Sequence, residues 1–353
     1  MNNKPMNNKL SSTRRRFMQY VTMAGVGSQA LLKTGDAKAA LFEAKESAGL
    51  GGPWPEMTYR KLGKTNFMGS RLVFGCGAAL SDQPRDELLN AALDHGVNVF
   101  DVGYSAYYRD AEKNLAPFVK RNRDKIFLIS KAPIPIELKY NEMLDVSTAK
   151  TAARGWLKLM DESLKGLGVE HVDAYYQMAG NNVSVISNEE LHRAFESAKA
   201  AGKVDHLGVS THQNAENVLK TMIDTGWFSL VQIAVTPGGW YDWNDRTILK
   251  GSPPMKDIQP LFEKAKASGI GMIGMKAGRF LAGRRFLRWG NPDAFDKYYD
   301  ETIAKAKFSH FQKSYAFVLA HGLDAVNADM QSMAHLKENY VATATSHDYF
   351  NVA

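Results

Sequence analysis

From residue 71 onward two hydrophobic rhythms alternate along the chain. Short, nearly continuous apolar runs read as strands: RLVFGCG (71–77), VNVFDVG (97–103), KIFLISKAP (125–133), HVDAYYQMA (171–179), VDHLGVSTH (204–212), LVQIAVTP (230–237), GIGMIGMKAG (269–278) and LDAVNADM (323–330). Between and after them lie stretches with apolar residues three and four apart. Leu88, Leu89, Ala92 and Leu93 share one face of 84–96, and Trp156, Leu157, Met160, Leu164 and Leu167 share one face of 151–168. Segments 188–203, 215–226, 258–269, 308–322 and 333–344 continue the series. Several of these helices run into a glycine that suits a C-cap: Gly96, Gly202, Gly226, Gly269 and Gly322.

Strict alternation of strand and helix argues for parallel strands joined by crossovers. Runs apolar on both faces argue for strands covered on both sides. Eight such units predict an α/β fold, a (β/α)8 TIM barrel, over an open doubly wound sheet. The first strand lacks the glycine-rich turn that marks dinucleotide-binding open sheets. The segment 57–70 reads as a short N-terminal hairpin on the barrel floor. Two connections are too long for turns, 238–257 and 278–303, and both fall on the C-terminal face, where barrels build their sites.

Charge changes the picture only at the N-terminus. The chain has 353 residues and a formal net charge of +7. Residues 1–40 hold seven Lys/Arg and one acid, or +6, so 41–353 carry only +1. The basic excess therefore gives no reason to expect nucleic acid as a partner. Residues 1–40 combine a basic start, an apolar stretch too short for a stable membrane anchor, and small residues Ala37 and Ala39 at a cleavage-like site. STRRRFMQ, with Arg14 and Arg15, resembles a twin-arginine export signal. That implies export of a folded protein by the twin-arginine translocase to the periplasm, a linker at 41–56, and a barrel domain at 57–353. The single cysteine, Cys76, excludes an intrachain disulfide and reads as a buried strand thiol.

The candidate chemistry lies at the strand ends. The second strand ends at Asp101 and the third at Lys131, so carboxylate and ammonium can pair across neighbouring strands. Tyr104, Tyr107 and Tyr108 follow the acid. A lysine beside a phenol lowers its pKa, and such a tyrosine suits proton donation to a carbonyl oxygen.

With these residues the chain resembles the aldo/keto reductase family over roughly 57–345. The resemblance rests on GVNVFDVGYSAYYRDAEKNL, IFLISKA, HVDAYYQM, GKVDHLGVSTH, LVQIAV, GIGMIGMK and HLKENY, in family order. It implies reversible reduction of an aldehyde, ketone or sugar carbonyl with NADPH or NADH. Asp101 and Lys131 match the family aspartate and lysine. Counting back four from Glu112 selects Tyr108 as the family tyrosine, with Tyr104 and Tyr107 as alternatives. The family histidine falls on Met178, a thioether that donates no hydrogen bond. Ser210, Thr211 and Gln232 match residues that hold the nicotinamide amide. The stacking aromatic falls on Val235, leaving Trp240 or Tyr241 to replace it. Met275 and Lys276 match the pyrophosphate end of the seventh strand, with Arg279, Arg284, Arg285 and Arg288 as further phosphate ligands. Glu338 and Asn339 match an adenine-contacting pair. The family's 2′-phosphate cations fall on Asp329 and His335, which keeps NADH open. Met178 and Val235 favour a competing reading, a nucleotide- or sugar-binding barrel without redox turnover.

Overall fold

The computed structural model describes residues 54–282 and 290–344. The export signal, most of the linker, Arg284, Arg285 and Arg288 lie outside the described residues. Eight parallel strands close into a barrel: β3 (Leu72–Gly75), β4 (Val99–Asp101), β5 (Phe127–Pro133), β6 (Val172–Met178), β7 (Val204–Thr211), β8 (Leu230–Thr236), β11 (Gly271–Met275) and β12 (Ala325–Asp329). Each pairs with the next, β12 pairs with β3, and β7 pairs with β8, so the ring has no open edge. Helices of the predicted series surround it, among them α5 (Val146–Leu167) and α11 (His310–Ala320). Gly96, Gly202, Gly226, Gly269 and Gly322 all have positive φ, as helix ends of this kind require.

Side-chain alternation divides the barrel into two cores. Outward residues such as Phe74, Phe100, Leu128 and Tyr175 pack against the helices. Inward residues Val73, Val99, Ile129, Ala174, Tyr176, Leu230, Ile273 and Ala325 fill the barrel. Tyr176 occupies room left by Gly208, where a Cβ would lie 2.2 Å from its ring. The hairpin β1 (Tyr59–Lys61) and β2 (Met68–Ser70) forms as expected. Its turn sends Leu62 and Phe67 into the inner core, plugging the floor. Burying a leucine fully contributes about 1.5–3 kcal/mol.

Three local expectations change. Cys76 is buried but begins a short helix, Cys76–Leu80, because β3 ends at Gly75. Lys131 lies two residues inside β5 rather than at its end. The connection after β8 is not plain loop: β9 (Gly239–Asp242) and β10 (Thr247–Ile248) fold back antiparallel on β8.

Candidate active site

The period-two alternation that fills the barrel with apolar groups continues upward into polar ones. Above Val99 stands Asp101, above Ile129 Lys131, above Leu230 Gln232 and above Ala325 Asn327. These four converge. Lys131 Nζ lies 2.5 Å from both Asp101 oxygens and donates to the Val102 carbonyl at 2.8 Å. Asn327 Nδ2 and Gln232 Nε2 donate to Asp101 Oδ2 at 2.5 and 3.2 Å. Asp101 and Lys131 are 4% and 3% exposed. A buried ion pair of this kind persists because its remaining hydrogen-bonding capacity is met. Asn327 escaped sequence reading, although two-residue counting from Ala325 points to it.

Tyr108 is the tyrosine at this pair. The Lys131 ammonium lies 5.7 Å from its ring centroid. Tyr107 packs edge-on against it at 4.5 Å. The ring fits between Gly77 and Gly103, where added Cβ atoms would lie 2.3 and 2.9 Å from it. The expected lowering of its pKa is not found. Burial pushes the phenol well up, and Tyr107 and Asp101 add to the rise. Desolvation of the buried ring outweighs the ammonium 5.7 Å from its centroid. Tyr108 is therefore a protonated phenol, the form that gives a proton away.

Met178 ends β6, in register with Pro133 and Ser210. It follows Ala174 and Tyr176 on the inward row. Gln177 alternates to the other face, where its Oε1 is buried without a partner. The next residue, Ala179, holds φ at 54°, a left-handed value costly for a residue with a Cβ.

Ser210 and Gln232 sit opposite each other on β7 and β8. Thr211 does not join them. Its hydroxyl lies 2.9 Å from Asn181 Oδ1 and from the Gln213 carbonyl, inside a turn that Asn181 clasps by accepting from His212 and Gln213 amides. Val235 is buried on the outward face beside Trp240, which packs edge-on against Phe262. Tyr241 instead joins Ala234, Met275 and Trp243 over the barrel mouth, its hydroxyl buried and unbonded. Of the two replacement aromatics, only Tyr241 faces the site.

Lys276 follows β11 with φ at 67°. Burial, then Arg279, lowers its pKa to about 8. Its ammonium lies 5.0 Å over the Trp243 ring. His212 also packs on that ring, centroid to centroid 4.5 Å. Burial, Lys276 and Lys131 hold His212 well below the usual imidazole range, so it is neutral. Asp329 completes the inward row of β12. It is open to solvent yet hemmed in by protein, which raises its pKa to about 6. Neither Trp243 nor His212 carried a distinctive sequence signal.

The mouth's groups suit a dinucleotide at one end. The Ser210 hydroxyl and the Tyr241 wall fit a nicotinamide, and the cations Lys276 and Arg279 fit phosphate. The adenine-end assignment fits less well. Glu338 is buried and accepts from the Ser309 hydroxyl at 2.6 Å, and its main chain accepts from Gln312. The carboxylate is thus committed within the fold, and Asn339 beside it is 7% exposed. His335 is neutral by burial, so it offers no charge to a 2′-phosphate. At the barrel's opposite end His171, Asp173 and Asp205 approach one another, but the Arg123 guanidinium fills the cluster, bonding Asp173 at 2.9 Å and lying 3.0 Å from His171 Nδ1.

A closed parallel barrel thus carries a buried Asp–Lys pair and a tyrosine at its C-terminal mouth. The chain belongs to the Aldo/keto reductase family, whose sequence profile matches residues 67–277. Solved structures agree on the fold. An aldo-keto reductase from Bacillus halodurans in its holo form is 19% identical, covering 81% of this chain and 91% of that one at a TM-score of 0.57. A Pseudomonas aeruginosa protein assigned to the aldo-keto reductases is 19% identical, covering 82% and 95% at 0.54.

Proposed function

We propose that this protein reduces the carbonyl of an aldehyde, ketone or sugar with NADPH or NADH, after export in folded form to the periplasm. The observation that carries the reading is the Asp101–Lys131 pair set beneath the Tyr108 ring. The nicotinamide would supply hydride to the carbonyl carbon. Tyr108 then donates its proton to the carbonyl oxygen, leaving a phenolate that the adjacent Lys131 ammonium stabilises and solvent reprotonates. Asp101 holds that ammonium in place, and Asn327 and Gln232 hold Asp101. Ser210 and Gln232 would orient the nicotinamide amide, Tyr241 would cover its ring, and Lys276 with Arg279 would bind phosphate.

Lys131→Met should lower kcat/KM for a small aldehyde by at least about 10²-fold. It strands a buried carboxylate, so Tyr108→Phe, nearly isosteric, serves as the second variant. Turnover unchanged in both would overturn the reading. Met178, which offers no donor, favours a second reading: a nucleotide- or sugar-binding barrel without turnover. Quenching of tryptophan fluorescence by NADPH with no turnover of any carbonyl would decide for it.

A further inference from the structure

The residue that should polarise the carbonyl is missing from β6, yet the mouth holds an imidazole just past the end of the next strand. We propose that His212 acts as a catalytic hydrogen-bond donor to the substrate carbonyl oxygen, in place of the donor that Met178 cannot supply. The proposal rests on the reading of the site as a carbonyl reductase.

Three observations place it there. Gly208 abuts the inward Tyr176 ring, so the inward residues at the top of β7 are Gly208 and Ser210, and His212 follows directly after the strand's last residue, Thr211. Met178 is in register with Ser210 at the end of the paired strands, and the His212 ring rests on Trp243, which packs with Ala234, Tyr241 and Met275 at the same mouth. Its main chain is fixed by the bond from its amide to Asn181 Oδ1 at 3.1 Å, and its ring by Trp243. No hydrogen bond within the described residues engages either ring nitrogen. A neutral imidazole always carries one N–H. Burial first, and then the charges of Lys276 and Lys131, disfavour a second proton, so His212 offers one donor and no added charge. The step it assists is balanced without it: hydride goes to carbon and the Tyr108 proton to oxygen. His212 donates a hydrogen bond to the oxygen as negative charge develops there and keeps its proton. Sequence counting alone discards it, because it scores the position of the lost histidine rather than what the neighbouring strand brings beside it.

His212→Phe keeps the ring against Trp243 and removes the donor. It should lower kcat/KM for a small aldehyde about 10²-fold, the usual loss for one oxyanion donor. Adding Met178→His to that variant should recover at least tenfold, whereas Met178→His in the otherwise native protein should gain less than threefold, since a donor is already present. Affinity for NADPH, read by tryptophan quenching, should stay within twofold in all of them. Binding of benzamide, an unreduced carbonyl, to the NADPH complex should weaken about three- to tenfold in His212→Phe. If the native protein turns over and His212→Phe stays within threefold of it with NADPH affinity intact, the donor role is wrong while the reductase reading stands. If the native protein binds NADPH but reduces no carbonyl, the reductase reading fails and takes this proposal with it.

Discussion

Tyr108 owes its position to two neighbours that have no side chain. Gly77 opens one side of its ring and Gly103 the other. A Cβ on Gly77 would meet Cε1 at 2.3 Å and Cδ1 at 2.5 Å, closer than packed atoms approach. Gly77→Ala should therefore push the phenol off Lys131. A misplacement near 1 Å costs about 10² in rate, while overpacking costs about 1–3 kcal/mol of stability. Steady-state kinetics beside a melting curve would check this, and a wild-type kcat in Gly77→Ala would refute it. At this scale the sequence spoke through strand parity. Asp101, Lys131, Ser210 and Gln232 stand where period-two counting puts them. Thr211, one residue further along the chain, is turned the other way into the Asn181 clasp. The expected acidic tyrosine failed for a different reason: sequence names the lysine and its carboxylate but not the burial that outweighs the lysine.

Elements are held to one another by buried polar anchors that hydropathy does not show. Arg71, 1% exposed, precedes β3 and reaches the C-terminal end of α11. Its guanidinium donates to the Leu319 carbonyl at 2.7 Å and to those of Leu323 and Asp324 at 3.2 Å. Those carbonyls lie at and beyond the helix end, where partners are lacking and the dipole is negative. Arg71→Met should cost about 3 kcal/mol, since it leaves buried acceptors unmet. Lysine should not restore it, being a point charge without the planar fork. A fall in the urea midpoint with unchanged slope would show this; an unchanged midpoint would mean the anchor is dispensable. Strands and helices were legible because each carries its own period. The β9–β10 arm was not, because a two-residue strand such as Thr247–Ile248 is fixed only by its partner.

For the whole molecule, charge separates residues 1–40 from the barrel. Nearly all of the net +7 belongs to residues 1–40. The described barrel contains no helix long and apolar enough to cross a membrane. Replacing Arg14 and Arg15 by lysine should keep the chain in the cytoplasm, measured by fractionation of cells expressing it. Full periplasmic yield from that variant would end the export proposal.

Eight alternations of strand and helix, with apolar runs on both strand faces, sufficed to specify a closed barrel. That pattern is local, and closing the sheet on itself leaves no parallel strand with an unpaired edge. The same two-residue period put the carboxylate, the lysine and the glutamine inside its mouth. Tertiary structure decided what those groups meet. It chose Tyr108 among three tyrosines through the space at two glycines, and Tyr241 over Trp240 through the fold-back of an arm. It brought Asn327 to Asp101 across 226 residues of chain, and it set the His212 ring against Trp243 at the mouth. Contacts between distant segments depend on register and on the volume left by neighbours, and neither is written in any one segment.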